Sequence, residues 1–328
     1  MSKIINLLSV PQDDRDATWL KEALQSAVEL EHATLPPYLS GMWSIKSGSG
    51  TAYDLIHSVV LQEMLHMALA CNMLTTIGGS PAIDQDGFVP TYPGGLPGGV
   101  RPSLTVTLQG LSLDYVHDVF MQIEYPEDGP VTLHKGVSFP TIGAFYDAIE
   151  AAYETLAASG AVTIAGTNQI TTSIGSDSVF AINSIDDVKK AISEIKEQGE
   201  GTSTSPYDED GNLSHYYKFA EIYNGKELEQ QPDGSYAYTG ADVPFPDVYP
   251  MAVVPEGGYG DKTTSFDNLY SQMLADLHSA WNGGGQDALG NAINVMFQLQ
   301  GPAQTLMQEQ ISGSDQNYGP DFIYIAQS

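Results

Sequence analysis

The chain has 328 residues, 42% apolar and only 16% charged, enough for one helical body with insertions and at most two domains. With 41 acidic against 12 basic residues its formal charge is −29, a field that repels phosphate backbones and anionic lipids and excludes nucleic-acid and membrane-surface binding as expected functions. The single cysteine, Cys71, excludes an intrachain disulfide and a thiolate metal cluster, and no stretch reaches the roughly 18 apolar residues of a membrane span.

The first apolar stretch is cut short at Pro11, too early for a secretory signal, so a cytoplasmic location is expected. Residues 17–35 put Leu20, Leu24, Ala27, Val28 and Leu35 on one helical stripe that also contains Glu31. Pro36 and Pro37 are expected to end or kink this helix about a turn later. A second helix starts near Thr51, where Thr51 and Asp54 read as a capping box, and stops at Gly78 and Gly79. Its inward stripe is Ile56, Val59, Val60, Glu63, His66, Met67, Ala70 and Leu74, so two polar residues lie on the buried face.

Residues 82–111 form a Gly- and Pro-rich connection with one short strand expected in LTVTL, long enough to be functional or packed over something. Helical spacing returns over 112–125, with Leu113, Val116, His117, Phe120 and Glu124 in line. Further helices are expected over about 141–158, from Ser184 to Gly199 with Glu200 at the exit, and from about 213 with His215, Phe219 and Ile222 on one face. Two more are expected over about 264–282 and 286–309. Residues 160–183 read as loop or weak strand, and 225–262 as turn-rich sequence without a period. The fold class is mainly α.

Glu63 and His66, three apart on a helix, offer a carboxylate and an imidazole to one point, the Glu-x-x-His element of carboxylate-bridged di-metal bundles. Glu31 on the preceding helix supplies a third group. A lone buried histidine is ordinarily a hydrogen-bonded core residue, but three inward glutamates, Glu31, Glu63 and Glu124, in a chain with 12 basic residues lack enough cationic partners. A bound metal resolves that imbalance. No second Glu-x-x-His exists, so the other half of a centre has to come from separate elements, with Glu124, Glu200 and His215 as candidates and Glu150, Glu197 and Glu221 in reserve. His57 points away from the Glu63 face, while His117, His134, His278 and Cys71 read as structural. The chain carries neither a phosphate-binding glycine loop nor a G-x-S-x-G elbow.

The ordered set AVELEHATLPPYLSGMWSIK, LQEMLHMALACNMLTTIGGSP, TYPGGLPGGV, MQIEYPED, TIGAFYDAIE, EQGEGT and SHYYKFAEIYNG resembles the ferritin-like domain of iminophenyl-pyruvate dimer synthases of violacein and related bisindole pathways. The resemblance spans roughly residues 18–310 and implies a ferritin-like helical bundle, one domain over 1–328 with insertions at about 82–111, 160–183 and 225–262. It implies metal ligands at Glu31, Glu63, His66, Glu124, Glu200 and His215, holding iron, two ions expected, or manganese. Ala144 stands where similar chains often carry an acid, so the synthases' substrate is not carried over.

The leading expectation is an iron- and dioxygen-dependent oxidase or oxygenase acting on a small molecule, amino-acid-derived metabolites included, in a chain that can form homo-oligomers. Tyr38, Tyr146 and Tyr216 are expected to line its pocket or to relay electrons, unless they are simply hydrogen-bonded core phenols. The alternatives are a metal store without an organic substrate and a scaffold that has lost its metal.

Overall fold

The computed structural model describes residues 3–126, 129–130, 141–201, 205–208 and 210–326. A short helix, α1 (Lys3–Ser9), precedes two long ones, α2 (Ala17–Trp43) and α3 (Thr51–Thr76), which pack along each other and carry most of the inward stripe read from the sequence. Asp16 starts α2 by accepting the Trp19 N–H at 2.8 Å, satisfying one of the donors that a helix N-terminus leaves open. At the head of α3 the expected Thr51–Asp54 box does not form. Gly50, at φ 108°, is the N-cap and offers no side chain, so Asp54 serves only as an acid in the first turn. The far end closes as expected, with the N–H groups of Gly78 and Gly79 donating to the carbonyls of Thr75 and Leu74.

The two prolines do not stop α2, which continues to Trp43. Pro37 cannot donate to the carbonyl of Ala33, four residues back, and that carbonyl instead accepts the buried Tyr92 hydroxyl at 2.8 Å. Tyr92 belongs to the 82–111 connection, which is anchored in the core by Phe88, Leu96, Val100 and Leu108. In place of a strand in LTVTL there is a single antiparallel bridge, Gly94 to Val106.

The segment after the connection is composite. Helix α4 (Leu113–Tyr115) passes through a π-helical turn, Val116–Phe120, into α5 (Met121–Ile123), which ends at Glu124. The wider π turn shifts the register, so His117 and Glu124 leave the common face expected for a regular helix: His117 is partly exposed and pairs with Asp118, while Glu124 is buried.

Helix α6 (Ile142–Ala158), capped by Thr141, packs on α2 and on α7 (Ile185–Glu200), whose cap is Ser184 with Asp187. Gly199 does not close α7. The helix runs through Glu200 and ends at Gly201, whose extended, positive-φ conformation (φ 75°, ψ −162°) glycine adopts freely. Helix α8 (His215–Asn224) lies against α3, α5 and α7.

Between α6 and α7 a small hairpin forms, β1 (Thr172–Ile174) with β2 (Asp177–Val179). The stretch without a period contains a second hairpin, β3 (Lys226–Gln230) with β4 (Tyr236–Asp242), irregular between Lys226 and Leu228. The helical hairpin of α9 (Thr264–Ser279) and α10 (Gly285–Met307) completes the chain's regular elements. Among the described residues no helix is long and apolar enough to cross a membrane.

Replacing Tyr92 with Phe leaves the Ala33 carbonyl buried without its donor. The expected cost is about 1–3 kcal/mol, seen as a lower denaturation midpoint at unchanged slope. An unchanged midpoint would mean that α2 tolerates Pro37 without this contact.

Candidate metal centre

Four elements meet at one point. Helix α2 brings Glu31, α3 brings Glu63 and His66, the end of α5 brings Glu124, and the first residue of α8 is His215. All five are buried, at 5% exposure or less. Among the described residues their ligand atoms form two groups, Glu31 with Glu63 and His66, and Glu63 with Glu124 and His215. Glu63 belongs to both.

Each carboxylate commits one oxygen to a hydroxyl outside the centre. Tyr146 donates to Glu31 Oε1 at 2.6 Å, Thr34 to Glu63 Oε2 at 2.8 Å, and Tyr38 to Glu124 Oε1. The second oxygens turn inward. His66 Nδ1 lies 3.7 Å from Glu31 Oε2 and 3.9 Å from Glu63 Oε1, and His215 Nδ1 lies 2.8 Å from Glu63 Oε1 and 3.5 Å from Glu124 Oε2.

The outer ring nitrogens face amide oxygens, with His66 Nε2 at 2.9 Å from Gln198 Oε1 and His215 Nε2 at 3.2 Å from Gln62 Oε1. Gln62 Oε1 also accepts from Lys218 Nζ at 2.6 Å. An amide oxygen can only accept, so each Nε2 is the protonated nitrogen and each Nδ1 lone pair faces the carboxylates. His215 Nδ1 accordingly has no hydrogen-bond partner. Three oxygens and two nitrogens, all acceptors, thus face one another, an arrangement that fits a cation and repels itself without one.

The titration directions follow. Burial first, and then the neighbouring Glu124, push the Glu63 carboxyl well above its usual range. For His66 burial disfavours the charged ring, but Glu31 and Glu63 outweigh it and the pKa rises. Burial prevails at His215 and lowers it. Burial and their carboxylate partners raise Tyr38 and Tyr146 well above 10, which keeps both phenols protonated as donors.

Glu200 belongs to neither group. Its Oε1 accepts the Gly143 N–H at 3.1 Å, at the N-terminus of α6, and its side chain lines the edge of the centre. The centre encloses a cavity of about 20 Å³, closed on its apolar side by Ile123, Ile142 and Ile195. Lys196 and Glu200 line both this space and an outer, open cleft of about 1090 Å³ bordered by α6, α7 and the β1–β2 hairpin.

The reserve residues lie apart from the ligand groups. Glu150 and Glu197 line the outer cavity, and Glu221 accepts the Leu228 N–H at 2.8 Å to hold the start of β3. Tyr216 packs edge-on against Tyr125 and Tyr217. His57 is exposed and stacks on Tyr53, His278 Nδ1 accepts from Ile83, and His134 lies outside the described residues. Cys71 is buried among core side chains.

Sequence reasoning missed the supporting groups Thr34, Gln62, Gln198, Lys218 and Arg101. The signal available was positional: Thr34 and Tyr38 follow Glu31 at helical spacings of three and seven on α2. Arg101 is buried at φ 49°, an uncommon conformation for a side-chain-bearing residue, and its guanidinium lies over the Tyr125 ring at 4.8 Å.

A carboxyl whose pKa rises on folding stabilises fully below its unfolded value, near 4.5, and loses that contribution as pH rises towards the folded value. Metal-free Glu63→Gln protein is therefore expected to melt above metal-free wild type at about pH 7.5, the gap closing as pH falls to about 4.5. Identical melting curves across that range would show that the carboxylate carries no penalty.

The family model described as ferritin-like matches residues 24–224, a span that contains all six predicted ligands. A crystal structure of a ferritin like protein from Caulobacter vibrioides is 24% identical and superimposes with a TM-score of 0.65, covering 93% of this chain and 97% of that one, which shows a common fold. No curated protein matches the chain. The chain belongs to the ferritin-like family.

Proposed function

We propose that this protein holds two metal ions, iron in preference to manganese, and uses them with dioxygen to oxidise a small organic molecule. The observation that carries the reading is the pair of Glu–Glu–His groups sharing Glu63, with buried acceptor atoms converging and no donor between them. Glu31 and His66 would hold one ion and Glu124 and His215 the other, with Glu63 available to both. Such ions, when bound, supply the electrons and Lewis acidity that dioxygen chemistry requires.

The residues around the centre have definable tasks. Tyr146, Tyr38 and Thr34 fix the carboxylates through one oxygen each, so the other oxygen keeps its direction. Gln198 and Gln62 fix the imidazole tautomers. Ile123, Ile142 and Ile195 give the centre an apolar wall. Tyr38 and Tyr146 each keep their phenol proton and donate it to a carboxylate oxygen, which fixes the direction of that hydrogen bond.

The outer cavity favours an enzyme over a metal store, because about 1090 Å³ is room for an organic substrate and it adjoins the centre through Lys196 and Glu200. The substrate class in this reading is a small, amino-acid-derived metabolite, without the synthases' own substrate. We read residues 1–328 as one domain built around this centre, acting in the cytoplasm.

Elemental analysis of purified protein should find about two iron or manganese ions per chain, and Glu63→Ala, which removes the shared group, should lose nearly all of them. Metal content unchanged in the variant would overturn the assignment. Aerobic iron uptake is expected to stop near that stoichiometry, whereas uptake continuing far beyond it would favour storage.

A further inference from the structure

Away from the metal centre, residues 321–325 lie along α9 as a strap. The N–H groups of Ile323 and Ile325, two residues apart, donate to Asp267 Oδ1 at 3.0 Å and to Ser271 Oγ at 2.8 Å, four residues apart on α9. Two extended residues and four helical ones each advance about 6–7 Å, so strap and helix keep step. Just ahead of these anchors Phe322, at φ 54°, turns its ring into the core against Trp43, Phe266 and Tyr270, with centroids at 6.1, 4.9 and 5.2 Å. A left-handed conformation is uncommon for a side-chain-bearing residue and persists only where flanking contacts hold it.

Those contacts begin with a pair of acids. Asp321 and Asp267 are buried, at 4% and 3% exposure, and lie within hydrogen-bond reach of each other and of the Thr263 hydroxyl. Asp321 Oδ2 accepts from that hydroxyl at 2.8 Å and from the Tyr259 N–H at 2.9 Å, and only glycine fits at Gly258, where a Cβ would lie 2.2 Å from the same oxygen. Asp321 Oδ1 is buried with no hydrogen-bond partner. Among the described residues no lysine, arginine or histidine pairs with either acid: Lys262, in the turn before α9, is held by Glu309 and lies over the Tyr318 ring. Two buried carboxylates in contact without a cation resist joint ionisation, whereas a carboxylic acid can donate to its neighbour's oxygen.

We infer that one proton shared by Asp267 and Asp321 fastens residues 321–325 to α9, and that the strap loosens as that proton leaves. Burial, then the charge of Asp321 and the hydrogen bond to it, raise the Asp267 carboxyl from 3.8 to about 8. Docking therefore takes up a proton, and the fastening is fully present below about pH 4 and is lost progressively as pH rises through about 8. Tyr259 also faces the pair, and burial and Asp321 push its phenol up to about 12, clear of that range. Tyr318 packs edge-on against Tyr259 at 5.1 Å, α2 offers the uncharged Trp43, and Tyr324 farther along the strap donates to Asp84 at 2.9 Å. Release of Phe322 uncovers Trp43 at the end of α2, the helix that carries Glu31, Thr34 and Tyr38.

Hydrogen exchange of the full chain, read by mass spectrometry on its C-terminal peptide and divided by the exchange of the same peptide free in solution, gives the opening constant of the strap. In wild type that constant should rise on the order of tenfold per pH unit between about pH 5 and about 7 and level off above about 8, while peptides of α9 stay protected. Asp267→Asn keeps an oxygen for the Ile323 N–H and gives Asp321 a permanent donor, so its strap should stay protected and its constant should be flat across that range. Asp321→Asn should flatten the profile likewise. Ser271→Ala, which loses only the Ile325 contact, should loosen the strap at every pH and keep the slope. Circular dichroism establishes that each variant is folded, and if an asparagine variant is not, the wild-type and Ser271→Ala profiles still decide. A flat wild-type profile would overturn the inference, as would a wild-type slope retained in a folded asparagine variant, or protection that increases with pH, the sign of two ionised carboxylates around a cation.

Discussion

Five acceptor atoms that face one another in a dry interior, without a donor among them, are the constraint on which the rest of this structure turns. Glu31, Glu63 and Glu124 each have one oxygen satisfied from outside, so the self-repulsion is confined to the inward oxygens and the two Nδ1 atoms. Hydroxyls and amide groups hold the side chains from behind and prevent them from rotating away to relieve it. Only positive charge can, and Glu63 and His66 both hold their protons more tightly than free side chains do.

Helix α2 shows how far the scaffold serves this arrangement. Glu31, Thr34 and Tyr38 lie along one of its faces and reach three different parts of the centre: the first faces His66, the second holds Glu63 and the third holds Glu124. Had the helix stopped at Pro36, Tyr38 would not meet Glu124. The 82–111 connection keeps it going by lending the Tyr92 hydroxyl to the carbonyl that Pro37 leaves open. The Tyr38 ring is then fixed between Phe120 and Phe219, with centroids at 4.8 and 5.0 Å, so the phenol cannot leave its carboxylate without disturbing the core. A loop with no regular structure and an aromatic cluster thus help decide where one carboxylate oxygen points.

Much of this was legible in the sequence because buried carboxylates violate the ordinary apolar pattern. Glu31, Glu63, His66 and Glu124 stood out on stripes of leucine, valine and phenylalanine, and His215 opened a helix whose other inward residues are apolar. The partners of those residues were illegible for the opposite reason. Gln62, Gln198, Thr34 and Lys218 are ordinary helix residues whose importance arises from contacts between elements 29 to 156 positions apart. Local rules misplaced features wherever tertiary contact overrode them, as at Pro37, or where a π turn altered the period, as between His117 and Glu124. The β3–β4 hairpin was hidden because its strands, KELEQ and YAYTGAD, lie mostly on the surface and do not alternate in polarity.

The sizes of the two cavities bear on how such a centre would be used. About 20 Å³ beside the carboxylates is room for a water or another diatomic-sized guest, but no organic molecule fits there. The organic substrate of the proposed reaction would have to sit in the outer cleft, where Glu200 and Lys196 line both spaces. Glu200 is held at the N-terminus of α6 by the Gly143 N–H, and Lys196 is drawn aside by Asp147 on the same helix. Both of these shared residues are therefore tied to α6, and α6 also carries Tyr146, which holds Glu31. A shift of this one helix would act on the shared lining and on a carboxylate of the centre together, coupling occupancy of the outer cleft to the geometry inside.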